Sequence, residues 1–261
     1  MQNLQPVKVD KFCDKSWNWP KDFSFAIADS IVVLGGSEVP KIIMGTAVAF
    51  VPENEDFLPV AVQGIKQGQN LLVDQKGQWR ESYVPAIYRS YPFRLARGEE
   101  DNYFLCVDEG SGLVKDDKGG AELFYDDARK LAEHTKNALD LLVEIERDRK
   151  LAIKICKALT YMDVIEPWPL VLETQGEKQQ ISGLFRISEE KLNDLPPEKF
   201  AELREGGALL LAYCQLLSMQ HIHKLGRLAL LDARTSKVQT PIRTSEFSLG
   251  GDIGTLSFEN L

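Results

Sequence analysis

The sequence predicts an α+β protein, sheet-rich in its N-terminal half and helical in its C-terminal half, and two observations carry that prediction. Before about residue 118 the apolar residues come in short runs, at 31–34, 42–50, 58–62, 70–74 and 103–108, separated by turn residues. After Gly119-Gly120 the spacing changes to alternating fours and threes, missing only at Arg149: Phe124, Ala128, Leu131, Thr135, Ala138, Leu142, Ile145, Ala152, Cys156 and Leu159. That period buries one face of a helix over many turns.

Taken in order, residues 1–20 read as a polar N-terminal arm ending in Trp17-Asn18-Trp19-Pro20, whose tryptophans lock it onto the core. The α+β domain spans 21–230, with its sheet-rich part at 21–118. It opens with Phe23-Ser24-Phe25-Ala26 as a short alternating strand. Gln75-Lys76-Gly77 forms a tight turn after the run at 70–74, with the glycine in the left-handed position. Glu109-Gly110-Ser111-Gly112 closes the run at 103–108. A helix over 124–161, capped by Asp126 or Asp127, is either continuous, spanning about 52 Å at ~1.5 Å per residue, or broken near residues 147–150 into two. The charged run at 144–150 reads as a solvated surface. A returning hairpin covers 170–187, turning at 175–178. Helices follow over 188–230: Ser188 caps one, Pro196-Pro197 opens the next, and Gly206-Gly207 precedes the last, over 208–225 or a little beyond. The tail, 231–261, is rich in serine, threonine and glycine and is expected to lie loosely on the surface.

Composition narrows the function classes. The chain has 261 residues, 44% hydrophobic and 27% charged, enough for a sizeable core in one large domain or two small ones. A net charge of −8 argues against bulk attraction to nucleic acid or to an anionic membrane. No apolar run approaches the ~18 residues of a membrane span, and the first residues lack the pattern of a secretory signal. Cys13, Cys106, Cys156 and Cys214 form no CxxC pair, which reads as reduced thiols in the cytoplasm; export to the cell surface by a signal-less route is the alternative.

The densest chemistry lies at 77–95, GQWRESYVPAIYRSYPFRL, where Trp79, Tyr83, Tyr88, Tyr91 and Phe93 alternate with Arg80, Arg89 and Arg94. Bulky aromatics and prolines favour extended backbone there. Two readings fit: a core strand with arginines snorkelling at its ends, or a surface that holds a planar or anionic ligand. On the second, the candidate ligand-binding residues are Trp79, Arg80, Tyr83, Tyr88, Arg89 and Tyr91, with Asp74 and Asp108 as the nearby carboxylates beside Glu81. Asp74 and Asp108 also suit the plain role of closing strands and turns.

Catalytic machinery is not legible. Gly35-Gly36 lacks the following lysine and hydroxyl of a phosphate loop, and neither a GxGxxG nor a GxSxG occurs. His221 and His223 lie two apart, so a helix points them to different sides, and no metal site is expected. His134 is expected to be exposed, and no cofactor is implied. A nucleophile assembled only in three dimensions leaves no trace in sequence.

The blocks Trp19-Pro20, Phe23-Ser24-Phe25-Ala26, Gly68-Gln69-Asn70-Leu71, Val73-Asp74, Gly77-Gln78-Trp79, Tyr83-Val84-Pro85-Ala86, Arg89 and Tyr91-Pro92-Phe93 come in an order that resembles the SapC family of bacterial proteins. Cys106-Val107-Asp108, Leu123-Phe124 and Gly183-Leu184-Phe185 continue the resemblance, which covers about residues 15–225. The chain departs from the family pattern at Asp126-Asp127-Ala128, where a glycine is usual. The resemblance implies an association with bacterial surface-layer export and a genomic setting near outer-membrane receptors and flavin halogenases; it brings no catalytic residue set. Three function classes follow. The leading one is a binding or accessory protein for a small molecule, peptide or partner protein. The others are a surface-layer or export-associated component, and an enzyme.

Overall fold

In the computed structural model, residues 3–98, 102–174, 177–235 and 255–257 are described. In chain order the elements are β1 (Leu4–Pro6), α1 (Val9–Phe12), β2 (Ser16–Trp17), β3 (Ile31–Val33), α2 (Val39–Ile42), β4 (Val48–Glu53), β5 (Asp56–Val62), α3 (Ala86–Arg89), β6 (Phe93–Arg97) and β7 (Tyr103–Asp108). Then come β8 (Val114–Lys115), β9 (Glu122–Leu123), α4 (Glu133–Tyr161), β10 (Ile165–Pro167), β11 (Leu170–Thr174), β12 (Glu177–Ile181) and β13 (Phe185–Ile187). The helices α5 (Glu189–Asn193), α6 (Pro197–Glu205), α7 (Ala208–Ser218) and α8 (Ile222–Thr235) follow, and β14 (Thr255–Ser257) comes last. Strands crowd the first half and helices the second, an α+β chain. No helix among the described residues is long and apolar enough to cross a membrane.

The chain divides into two compact units. The first comprises Met1–Phe25, Ala86–Arg147 and Gly251–Leu261, and holds the sheet ordered β1-β7-β6-β14 with the small sheet β8-β2-β9. Its core packs Phe12, Trp17, Phe93, Leu95, Leu105, Val107 and Phe124 against Ala138 and Leu142 of α4. Trp17 is fully buried, and its indole nitrogen donates to Thr135 Oγ1 at 3.0 Å, so the polar arm is held by an aromatic anchor.

The second unit comprises Ala26–Pro85 and Asp148–Gly250, and holds the sheet β10-β13-β4-β5-β3 and the hairpin β11-β12. A two-residue loop, Asn54-Glu55, joins β4 to β5, with Asn54 in the left-handed region that suits a short polar side chain. Buried Gln215 of α7 clips two strands together: its Nε2 donates to Val48 O at 3.1 Å and its Oε1 accepts from Ile187 N at 2.9 Å. Ser188 Oγ caps α5, and Gly207, left-handed at φ 74°, precedes α7.

Several expectations need correction. Ser24–Ala26 is a 3-10 turn, begun by Asp22 accepting from Ser24 N at 2.9 Å, so the aspartate closes a local turn in place of a strand. The 70–74 run forms only a single bridge, Val73 to Trp79, around Gly77 (φ 76°). The long helix starts at Glu133, because Asp126 Oδ1 accepts from Lys130 N at 2.8 Å and Arg129 turns left-handed, closing a tight turn before it. It then runs unbroken through 147–150. The charged run there is partnered: Tyr103 Oη donates to Glu146 at 3.1 Å, Ser37 donates to Asp148, and Arg149 pairs with Glu53 at 3.2 Å. Gly183, left-handed at φ 84°, lies between β12 and β13, where one strand was expected. The last helix is likewise split by a 3-10 turn, Met219–His221, into α7 and α8. In the tail, Thr255–Ser257 pair in parallel with Leu95–Arg97; the expectation for 236–254 and 258–261 lies outside the described residues, as does that for the hairpin turn at 175–176.

Candidate functional site

The eight residues selected from sequence fall in both units. Asp74, Trp79, Arg80 and Tyr83 belong to the second unit, and Tyr88, Arg89, Tyr91 and Asp108 to the first.

In the second unit the loop after the Val73–Trp79 bridge is a set of tethers. Asp74 Oδ1 accepts from the amides of Lys76 and Gln78, both at 2.8 Å, which closes the turn and holds the carboxyl below its usual range, the Gln78 amide contributing most. Trp79 Nε1 donates to Tyr83 O at 2.8 Å, folding the loop on itself. Arg80 reaches Asp232 of α8 at 3.0 Å, and Glu81 meets Lys224 of the same helix. The Glu81 carboxylate also lies on Gly45, where a Cβ would sit 2.2 Å from Oε2. Tyr83 Oη donates to Glu38 Oε1 at 2.9 Å, and buried Glu38 accepts from Gly35 N at 3.0 Å. The arginine and acid that looked ready for a ligand are thus joined to α8.

In the first unit an aromatic cluster forms around Tyr91. Pro85 precedes α3, so the stretch expected to be extended turns helical through Ala86–Arg89 before β6 begins. That turn buries Tyr88 at 3% exposure and leaves Arg89, the last residue of α3, exposed. Phe25 lies flat on Tyr91, with ring centroids 3.9 Å apart and planes at 5°, and Tyr88 meets Phe25 edge-on at 5.8 Å. Phe23 joins at 6.0 Å from Phe25. The Arg94 guanidinium stands 5.7 Å from the Tyr91 centroid, within cation–π range. Phe23, Phe25, Tyr91 and Arg94 are all half-buried, so the cluster keeps an edge in solvent.

The Tyr91 phenol is shifted by its surroundings, and Asp108 is held by local hydrogen bonds. Burial, and then the charge of Asp108, push the Tyr91 phenol upward, while Arg94 and a hydrogen bond with Ser111 pull it back. Asp108 accepts from Asn3 N and Gly110 N, both at 2.9 Å, capping the 3-10 turn that follows β7. Burial drives Cys106 up to about 11, and in the second unit Cys156 up to about 12, away from thiolate chemistry at neutral pH. Among the described residues no cluster of three or more histidine, cysteine or acidic side chains is placed to hold a metal.

Sequence reasoning missed Phe25 and Arg94 as members of one cluster. The signal was present in the half-polar Phe-Ser-Phe-Ala block, which a strand reading had assigned to a sheet. A search of curated proteins and a search of solved structures each return no match to this chain. The family model described as SapC matches residues 8–225, a span that contains all eight residues selected from sequence. The chain belongs to the SapC family.

Proposed function

We propose that this SapC-family chain is a non-catalytic binding or accessory protein whose ligand surface is the Phe25–Tyr91–Arg94 cluster of the first unit. One observation carries the reading: two stacked, half-buried rings with a guanidinium beside them keep an edge open to solvent. Such a surface suits a small molecule or peptide that sets a flat or apolar group next to an anion. Exposed Arg89 on α3 supplies a second cation in the same unit. Four free cysteines are in keeping with a cytoplasmic setting.

The test is calorimetric titration of the full chain with a panel of aromatic carboxylates and acidic aromatic peptides, repeated on Arg94→Ala and Arg89→Ala. Losing a charge-assisted hydrogen bond should weaken binding by about 1.5–3 kcal/mol, roughly ten- to a hundredfold, with little change in melting temperature. A panel without a binder, together with a strongly destabilised Arg94→Ala, would sink the reading and leave the cluster as packing.

A further inference from the structure

The sheet of the first unit ends on a strand that the rest of the domain does not supply. Thr255, Leu256 and Ser257 pair in parallel with Leu95, Ala96 and Arg97, so β14 covers the outer edge of β6. These residues lie beyond 8–225, the span matched by the family model, and 19 residues (236–254) tether them to the end of α8.

The backbone geometry states which groups the tail covers. On the inner side, Gly98 N donates to Asn102 O at 2.7 Å and Asp108 N to Pro92 O at 3.0 Å. An antiparallel ladder alternates, so Arg94 and Ala96 face β7 while Leu95 and Arg97 turn their N–H and C=O groups outward. Phe93 N, also on the outer side, is already taken by Ser90 O at 2.8 Å. Leu256 stands opposite Ala96, and in a parallel ladder its N–H then falls to Leu95 C=O and its C=O to Arg97 N–H. An uncovered pair of this kind is a template for any extended segment.

We propose that the β6 edge is a strand-docking site and that the chain's own Thr255–Ser257 segment is its resident occupant, a displaceable strap. Main-chain pairing over three residues is weak by itself. Because the segment belongs to the same chain, its pairing is intramolecular, which favours the strap over dilute competitors. The occupant recognised is therefore an extended segment running parallel to β6, and the chain carries one. This inference rests on the β14 pairing and is independent of the aromatic-cluster reading; neither Arg94→Ala nor Arg89→Ala bears on it.

Hydrogen exchange resolved to single amides in the full-length chain tests it. Leu256→Pro removes the donor to the Leu95 carbonyl and so releases the strap; exchange at Arg97, whose N–H is bonded to Leu256 C=O, should speed up by roughly tenfold, the scale of one lost hydrogen bond, while Ala96, bonded to β7, stays protected. Ser257→Pro is the matched control, because in this register the Ser257 N–H faces away from β6 and an edge strand tolerates proline there. A synthetic peptide of residues 251–261, added to the Leu256→Pro chain, should restore protection at Arg97. Unchanged exchange in Leu256→Pro, equal effects from the two prolines, or an equal rise at Ala96 would each overturn the strap. A peptide that fails to restore protection would overturn the docking site.

Discussion

Phe25 stacks on Tyr91 at 3.9 Å with the rings 5° from parallel, and that contact joins two aromatic motifs from distant parts of the sequence within one unit. Phe25→Ala should remove the stack and the edge contact to Tyr88 together. For a half-buried ring the expected loss is about 2 kcal/mol, below the 3–5 kcal/mol of a fully buried phenylalanine. Phe25→Leu should recover part of the area without the stacking geometry. Urea midpoints of the three proteins measure this; a Phe25→Ala midpoint equal to the parent's would mean that the rings touch without stabilising the unit.

Legibility of the fold divides by the range of the interaction. The α+β class, β5, β7, the Ser188 cap and the proline start of α6 rest on periodicity and on local hydrogen bonding, which a sequence displays directly. The start of α4 was misplaced because Phe124, Ala128 and Leu131 keep helical spacing while Asp126 closes a competing turn. Residues 144–150 look like a solvated run until tertiary partners appear: Glu146 is buried under Tyr103, and Asp148 and Arg149 bond to Ser37 and Glu53. The candidate site was half legible. Its aromatic and cationic content is plain in 77–95, whereas the pairing of Arg80 with Asp232, and of Phe25 with Tyr91, depends on contacts far apart in sequence.

The thiols give a pH-dependent prediction. Burial raises Cys156 from an ordinary 9.0 to about 12 and Cys106 to about 11. The folded chain therefore holds protons that the unfolded chain releases above pH 9. Their contribution to stability is complete below pH 9 and is lost as pH rises from 9 towards 11 for Cys106 and towards 12 for Cys156. Native alkylation at pH 8 should leave Cys106 and Cys156 unmodified, and both should react once the chain unfolds. Mass spectrometry of the alkylated, unreduced protein checks this and the absence of disulfides together; a bridge would overturn the reading of four free thiols.

In the second unit, Gly35 finds its explanation in Asp148 of α4. Ser37 N donates to both carboxylate oxygens, at 3.0 and 3.1 Å, and Ser37 Oγ donates to Oδ2 at 2.7 Å. A Cβ on Gly35 would stand 2.1 Å from that same Oδ2, so the glycine is required for the carboxylate to reach the turn. Asp148→Ala should cost about 1.5–3 kcal/mol, the range for hydrogen bonds to a charged group. Gly35→Ala should cost a comparable amount by evicting the carboxylate. The two changes remove the same interaction, so the double variant should be less destabilised than the sum of the singles by about 1–2 kcal/mol. Relief stays incomplete, because the Asp148 Cβ itself lies 2.9 Å from the added methyl. Denaturant melts of the four proteins complete the cycle, and simple additivity would show that the glycine and the carboxylate stabilise the turn independently.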